Sequence, residues 1–223
     1  MKHVCYFFIN FATTELKLII ISGMNVQTTL YSIGHGQKPL EEFYYELTSF
    51  GIQYVIDVRS SPFSKWAPQY NQREIAFFLK SNNIVYVYMG NIIGGRPLNE
   101  SCYDLEGHYD YKKMAQEPSF KKGLLRLVNA NERQFNVAVM CSESDPLMCH
   151  RSKLIGRELY ENYHINMKHI LSVDKYIDEI HVIMELTKGQ WIPPEMSLFP
   201  YPMPYFKSRK NYKEETEELL TYD

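Results

Sequence analysis

From Thr28 onward, short apolar runs alternate with segments whose apolar residues recur at helical spacing, the pattern of a mostly parallel sheet covered by helices. The runs TTLYSI (28–33), YVIDV (54–58), IVYVYM (84–89), FNVAVM (135–140) and INMKHIL (165–171) predict five strands. A helix is expected from Pro39 to about Phe50, where Gly51 ends it, and a second over 72–81, opened by a capping box of Asn71 and Glu74. His108–Gln116 and Ser119–Asn129 read as two further helices parted at Pro118, which suits a first turn. Another spans 150–162, and a last one, capped by Ser172, extends to about Lys188. The expected fold is α/β, a single three-layer domain with a mostly parallel sheet of about five strands.

The domain on this reading occupies residues 28–188. Residues 1–27 form an N-terminal extension in which Glu15 and Lys17 split the apolar clusters, leaving no run of ~18 apolar residues to cross a bilayer. Met24 precedes the first strand closely enough that residues 1–23 are expected to be either an upstream extension or a start-site artefact, with an extra element packed on the core as the other possibility. Residues 189–223 form a tail rich in proline and aromatic residues, opening with WIPPEMSLFPYPMP. It is expected to wrap the surface and end in a short acidic helix.

Composition narrows the classes of function. At 223 residues, 45% apolar and 22% charged, the chain is an ordinary globular protein, which excludes a long multidomain machine, wholesale disorder and collagen. A formal net charge of −2 supplies no global field for nucleic acid or an acidic membrane, so nucleic acid is a possible partner that charge does not indicate. Four cysteines in a chain of this length, with no secretory signal, point to the reducing cytoplasm and no membrane.

In open α/β sheets ligands bind beyond the carboxyl ends of the strands, so the residues just after each strand carry the chemistry. Here they are Gly34-His35-Gly36, then Asp57 and Arg59, then Gly94-Gly95-Arg96, then Cys141-Ser142-Glu143 followed by Cys149-His150-Arg151. Cys141 ends its strand close to the start of the next helix and to Arg151, a setting that favours a thiolate; a buried inert thiol is the bland alternative. Cys149 is either a resolving thiol for Cys141 or a helix-start residue facing the sheet. Zinc would accept Cys141, Cys149, His150 and His35 as ligands, although Cys-x7-Cys-His matches no familiar zinc spacing, so no metal is assigned. Arg59, Arg96 and Arg151 with the glycine amides suit an anion, or they pair with Asp57 and Glu143. Glu143 is the first candidate acid/base and His35 the second. Trp66 and Tyr70 stand beside these loops where a base or sugar could stack, while Tyr86 and Tyr88 alternate with valines as sheet packing.

The motifs YSIGHG (31–36), IDVRSSPFSKWAPQYN (56–71), IIGGRP (92–97), YDYKKMAQEPSFKKGLLRLV (109–128) and VAVMCSESDPLMCHR (137–151) together resemble domain-of-unknown-function family 488 over residues 28–172. The resemblance implies importance for His35, Asp57, Arg59, Pro62, Ser64, Gly94, Gly95, Arg96, Cys141, Glu143, Cys149, His150 and Arg151, and supplies no activity. The chain departs from it at Gly36, where the family more usually has serine. IDVR followed by a strand ending in cysteine is more distantly similar to rhodaneses and cysteine phosphatases. Those place the arginine about five or six residues past the nucleophile, and Arg151 lies ten past Cys141.

The resulting expectation is an enzyme in which Cys141, Glu143, His35 and Asp57 are catalytic. Arg59, Ser64, Gly94, Gly95, Arg96, Cys149, His150 and Arg151 would bind a small anionic, phosphorylated or nucleotide-like substrate. A non-catalytic nucleotide or nucleic-acid module, a zinc-stabilised structural protein and rhodanese-like sulfur transfer are the alternatives.

Overall fold

Along VAVMC, side chains at alternate positions must enter opposite faces of a sheet, and all five are apolar, so this segment has to be covered on both sides. A computed structural model describes residues 28–211, without the side chains of residues 210 and 211. In it Val137, Val139 and Cys141 enter one apolar cluster and Ala138 and Met140 the other. The expectations for residues 1–27 and for the acidic end of the tail lie outside the described residues.

The elements in chain order are β1 (Leu30–Gly34), α1 (Leu40–Ser49), β2 (Tyr54–Asp57), α2 (Gln72–Ser81), β3 (Val85–Tyr88), α3 (Gly90–Ile93), β4 (His108–Asp110), α4 (Tyr111–Met114), α5 (Pro118–Glu132) and β5 (Val137–Cys141). A π-helical stretch, Arg151–Gly156, then runs into α6 (Arg157–Tyr163), followed by β6 (Lys168–Ser172), β7 (Lys175–Asp178), α7 (Glu179–Leu186) and β8 (Lys207–Asn211). The main sheet has the order β3-β2-β5-β1-β6-β7, parallel except for β7 on β6. Phe43 and Leu47 of α1 and Ile75 and Leu79 of α2 cover one face. Phe120, Leu124 and Leu127 of α5 and Leu159 of α6 cover the other, which makes three layers in one α/β domain.

That topology fixes where a ligand site can form. From β1 the chain moves towards β2 and β3 over one face, and from β5 it moves to β6 over the other, although β1 and β5 are neighbours. Neighbouring strands whose connections leave in opposite directions open a crevice at their carboxyl ends. Gly34 and Cys141 are register partners at that point.

Three local expectations are corrected. Asn71 precedes α2 without capping it, because its Oδ1 accepts the Ser64 amide (2.7 Å). His108–Asp110 is a strand, pairing antiparallel with β8, and only Tyr111–Met114 of that segment is helical. Ser172 ends β6, and the chain turns into β7 before a helix starts at Glu179; β7 rather than a longer helix satisfies the backbone along the edge of β6. The tail does more than wrap the surface. Trp191 and Met203 are each 1% exposed in a third cluster with Tyr160 and Ile183, so the core continues past residue 188.

Trp191→Ala is therefore expected to lower the free energy of unfolding by about 3–5 kcal/mol, the usual cost of emptying a buried aromatic site, measured by urea titration.

Candidate functional site

The loop after β5 can cross the end of β1 only because residue 34 is glycine. A Cβ there would lie 2.0 Å from the Glu143 carbonyl oxygen and 2.5 Å from Ser144 Cα. The amides of His35 and Gly36 donate to the carbonyls of Cys141 and Ser142 at 3.0 Å each, extending the β1–β5 ladder into the crevice. His35, Cys141, Cys149, His150 and Arg151 are thereby brought to one end of the sheet, all buried.

Cys141 and Cys149 form the centre. His150 Nδ1 lies 3.9 Å from Cys141 Sγ and 3.8 Å from Cys149 Sγ, and the three donor atoms lie within 4.8 Å of one another. Arg151 donates to Cys149 Sγ through Nε (3.2 Å) and through its backbone amide (3.5 Å). Burial works against ionising Cys149, yet the hydrogen bond from Cys141, the Arg151 guanidinium and His150 outweigh it and hold the thiol well below its ordinary range. Cys141 moves the opposite way, pushed up by the hydrogen bond it gives to Cys149 and then by burial. Geometry favours Cys149 as the sulfur that ionises first, because Arg151 donates to it twice. Strand position had pointed to Cys141.

Arg151, 0% exposed, is held by Glu143 and by a residue that sequence reasoning did not single out, Ser32. Its Nη1 donates to Ser32 Oγ (3.0 Å) and its Nη2 to the Glu143 carbonyl (2.6 Å). Ser32 Oγ in turn meets His169 Nδ1 at 2.6 Å, and His169 Nε2 meets Glu179 Oε2 at 2.6 Å. Ser152 donates to the other carboxylate oxygen of Glu179 at 3.1 Å. With Nε2 giving to Glu179 and Nδ1 receiving from Ser32, every bond in the chain from Arg151 to the carboxylate is satisfied. Ser32 and His169 lie inside apolar strand runs, where a lone polar residue resembles ordinary packing. The available signal was a polar side chain on two neighbouring strands, Ser32 and His169 being register partners.

A second buried network lies beside it. Asp57 Oδ1 accepts from the Arg59 amide (3.0 Å) and Nε (2.9 Å), and Oδ2 accepts from Arg59 Nη2 (2.6 Å) and the Tyr86 hydroxyl (2.7 Å). Burial and then Asp57 push the Tyr86 hydroxyl up, which keeps it a donor. Arg59 Nη1 faces His35 Nε2 at 3.1 Å, while His35 Nδ1 bonds the Gly36 carbonyl at 2.8 Å. Burial and then Arg59 lower the pKa of His35 to about 4, so its neutral ring accepts from Arg59 and stacks on Tyr70 at 4.1 Å. The proton-transfer role expected of His35 finds both ring nitrogens already in use. Asp57, expected to be catalytic, and Arg59, expected to bind an anion, are spent on each other.

The remaining expected residues lie at the rim. The Glu143 carboxylate closes its own loop by accepting the Asp145 amide (3.2 Å). Ser64 Oγ accepts from Trp66 and Ala67, bracing a loop whose Trp66 is 80% exposed. Gly95 packs on His150, where a Cβ would approach ring atoms to 2.9 Å. Gly94 and the exposed Arg96 line a cavity of about 240 Å³ with Ser60, Tyr88 and Asn99, on the other side of that glycine pair. Among the described residues, Cys141, Cys149 and His150 are the cluster able to hold a metal ion, and His150 Nε2 is buried with no partner.

The family model for the domain of unknown function DUF488 matches residues 39–157, just over half of the chain, including every expected site residue except His35. No curated protein and no solved structure matches the chain.

Two outcomes follow from these networks. His35 binds its proton more weakly folded than unfolded, so its contribution to stability is present above pH 6.5 and is lost as the pH falls towards 4. Between those limits the wild-type protein loses about 3 kcal/mol more than His35→Gln in parallel denaturant titrations. Ser32→Ala leaves an Arg151 donor and His169 Nδ1 buried and unpaired, and costs about 3 kcal/mol in the same assay.

Proposed function

We propose that this chain, which belongs to the DUF488 family, is a cysteine-dependent enzyme in which the Cys149 thiolate attacks a small electrophilic substrate. The observation that carries the proposal is the pair of hydrogen bonds from Arg151 to Cys149 Sγ, inside the crevice at the β1/β5 switch point. A thiolate is the nucleophilic form of cysteine, and a fixed guanidinium is a means of keeping one at neutral pH. Cys141 supplies the adjacent proton. The substrate is small because the two sulfur-bearing residues are only 7% and 3% exposed.

A second reading has its own observation. Two sulfurs and a ring nitrogen within 4.8 Å of one another are a donor set that zinc and similar ions take, with a fourth position for solvent or substrate. Metal analysis of the purified protein separates the two readings.

In metal-free protein, iodoacetamide is expected to label Cys149 at a pH below the ordinary thiol range of ~8.5, and Arg151→Met to move that profile upward. Cys141→Ser keeps a reactive Cys149, whereas Cys149→Ser leaves Cys141 slow. Labelling of Cys141 ahead of Cys149, or a Cys149 profile unmoved by the loss of Arg151, overturns the assignment.

A further inference from the structure

We propose that Cys149 and Cys141 are a dithiol that reduces small hydroperoxides and ends each turn as a Cys141–Cys149 disulfide. The inference rests on the thiolate assignment above and names the substrate class of that same site.

Three observations lead to it. First, both sulfurs face the same ring atom, His150 Nδ1, at 3.9 and 3.8 Å, and they lie within 4.8 Å of each other. A disulfide needs ~2.05 Å, so closing the bond asks for a displacement of roughly 3 Å at most. Second, the two sulfurs are unequal. Of the two sulfurs, Arg151 donates to that of Cys149, through its amide and its Nε, which separates an attacking sulfur from a resolving one. Third, both cysteines are almost covered, at 7% and 3% exposure, which favours a small oxidant.

The chemistry balances with these groups. Cys149 attacks the terminal oxygen of the hydroperoxide and the O–O bond breaks, leaving a sulfenic acid on Cys149 and an alkoxide. The alkoxide takes the Cys141 proton and departs as the alcohol. The Cys141 thiolate then attacks Cys149 Sγ, the S–S bond forms, and hydroxide leaves to solvent, where it is neutralised by the proton released when the dithiol is restored with Cys149 as thiolate. Each sulfur gives up one electron, and the two peroxide oxygens take the pair. Two equivalents of a low-molecular-weight thiol restore the dithiol and become a disulfide themselves.

The test uses the full chain, reduced, freed of metal and treated with hydrogen peroxide. The expected result is loss of two titratable thiols per chain, a peptide cross-link between Cys141 and Cys149, and recovery of both thiols with dithiothreitol. Cys149→Ser abolishes peroxide consumption, while Cys141→Ser leaves a sulfenic acid at Cys149 that dimedone traps. Direct passage of wild-type Cys149 to the sulfinic acid with Cys141 still a thiol overturns the proposal. So does oxidation confined to Cys5 or Cys102, or a stoichiometric metal whose removal unfolds the protein. If Cys149 is readily alkylated but peroxide yields no cross-link, the hydroperoxide inference alone fails. If Cys149 is inert to iodoacetamide as well, the thiolate assignment fails with it.

Discussion

The buried guanidinium of Arg151 ties the sheet, the crevice loop and the sulfur centre into one unit. A fully buried cation is costly unless its donors are met and a compensating charge is close. Here β1 supplies the Ser32 hydroxyl, the loop after β5 supplies the Glu143 carbonyl, and Cys149 supplies a sulfur that the same cation favours as a thiolate. Each group answers a requirement of another. Arg151 needs acceptors in a place without water, and Cys149 needs a donor to ionise there. Behind them, Ser32, His169 and Glu179 extend the hydrogen bonds across β6 to the first residue of α7, so the element that closes the domain also holds the arginine.

The neighbouring Asp57–Arg59 pair follows the same logic with a different result. Its carboxylate accepts four hydrogen bonds, and the guanidinium turns Nη1 outward to a His35 ring that must stay neutral to accept it. Two arginines placed alike after strands thus differ in what they do. Arg59 orders the mouth of the crevice by fixing His35 against Tyr70, whereas Arg151 donates to the Cys149 sulfur.

Much of the frame was legible in the chain. All five expected strands and the helices at 39–50, 72–81 and 119–129 are present within a few residues, because apolar period and flanking glycine or proline coincide there. The misread elements divide by cause. His108–Asp110 becomes a strand only because Lys207–Asn211 lies beside it, and Trp191 is buried in part by Tyr160, contacts remote in sequence that no local window holds. β7 is local, the return arm of a hairpin on β6 whose turn holds Asp174 at positive φ. The site divides in the same way. The residues after strand ends could be picked out by topology, while Ser32, His169 and Glu179 could not, since their polarity is explained only by one another.

The exchange of roles between Cys141 and Cys149 shows what position along a chain cannot decide. Strand position favours Cys141, which sits at the carboxyl end of β5, and helix position gives Cys149 no more than an adjacent start. The deciding quantity is which sulfur receives the cation. Cys149 receives the Arg151 amide and guanidinium. Cys141 accepts the Glu143 amide, which favours its ionised form, but the nearness of Cys149 and burial outweigh that bond and push it up. Two like charges cannot share so small and dry a volume, so ionising one sulfur holds the proton on the other. The asymmetry belongs to the pair, and it disappears if a cation larger than a proton enters between them. Metal-bound and metal-free forms of this centre would therefore have different chemistry on the same three side chains, and the proton shared by Cys141 and Cys149 is the marker that separates them.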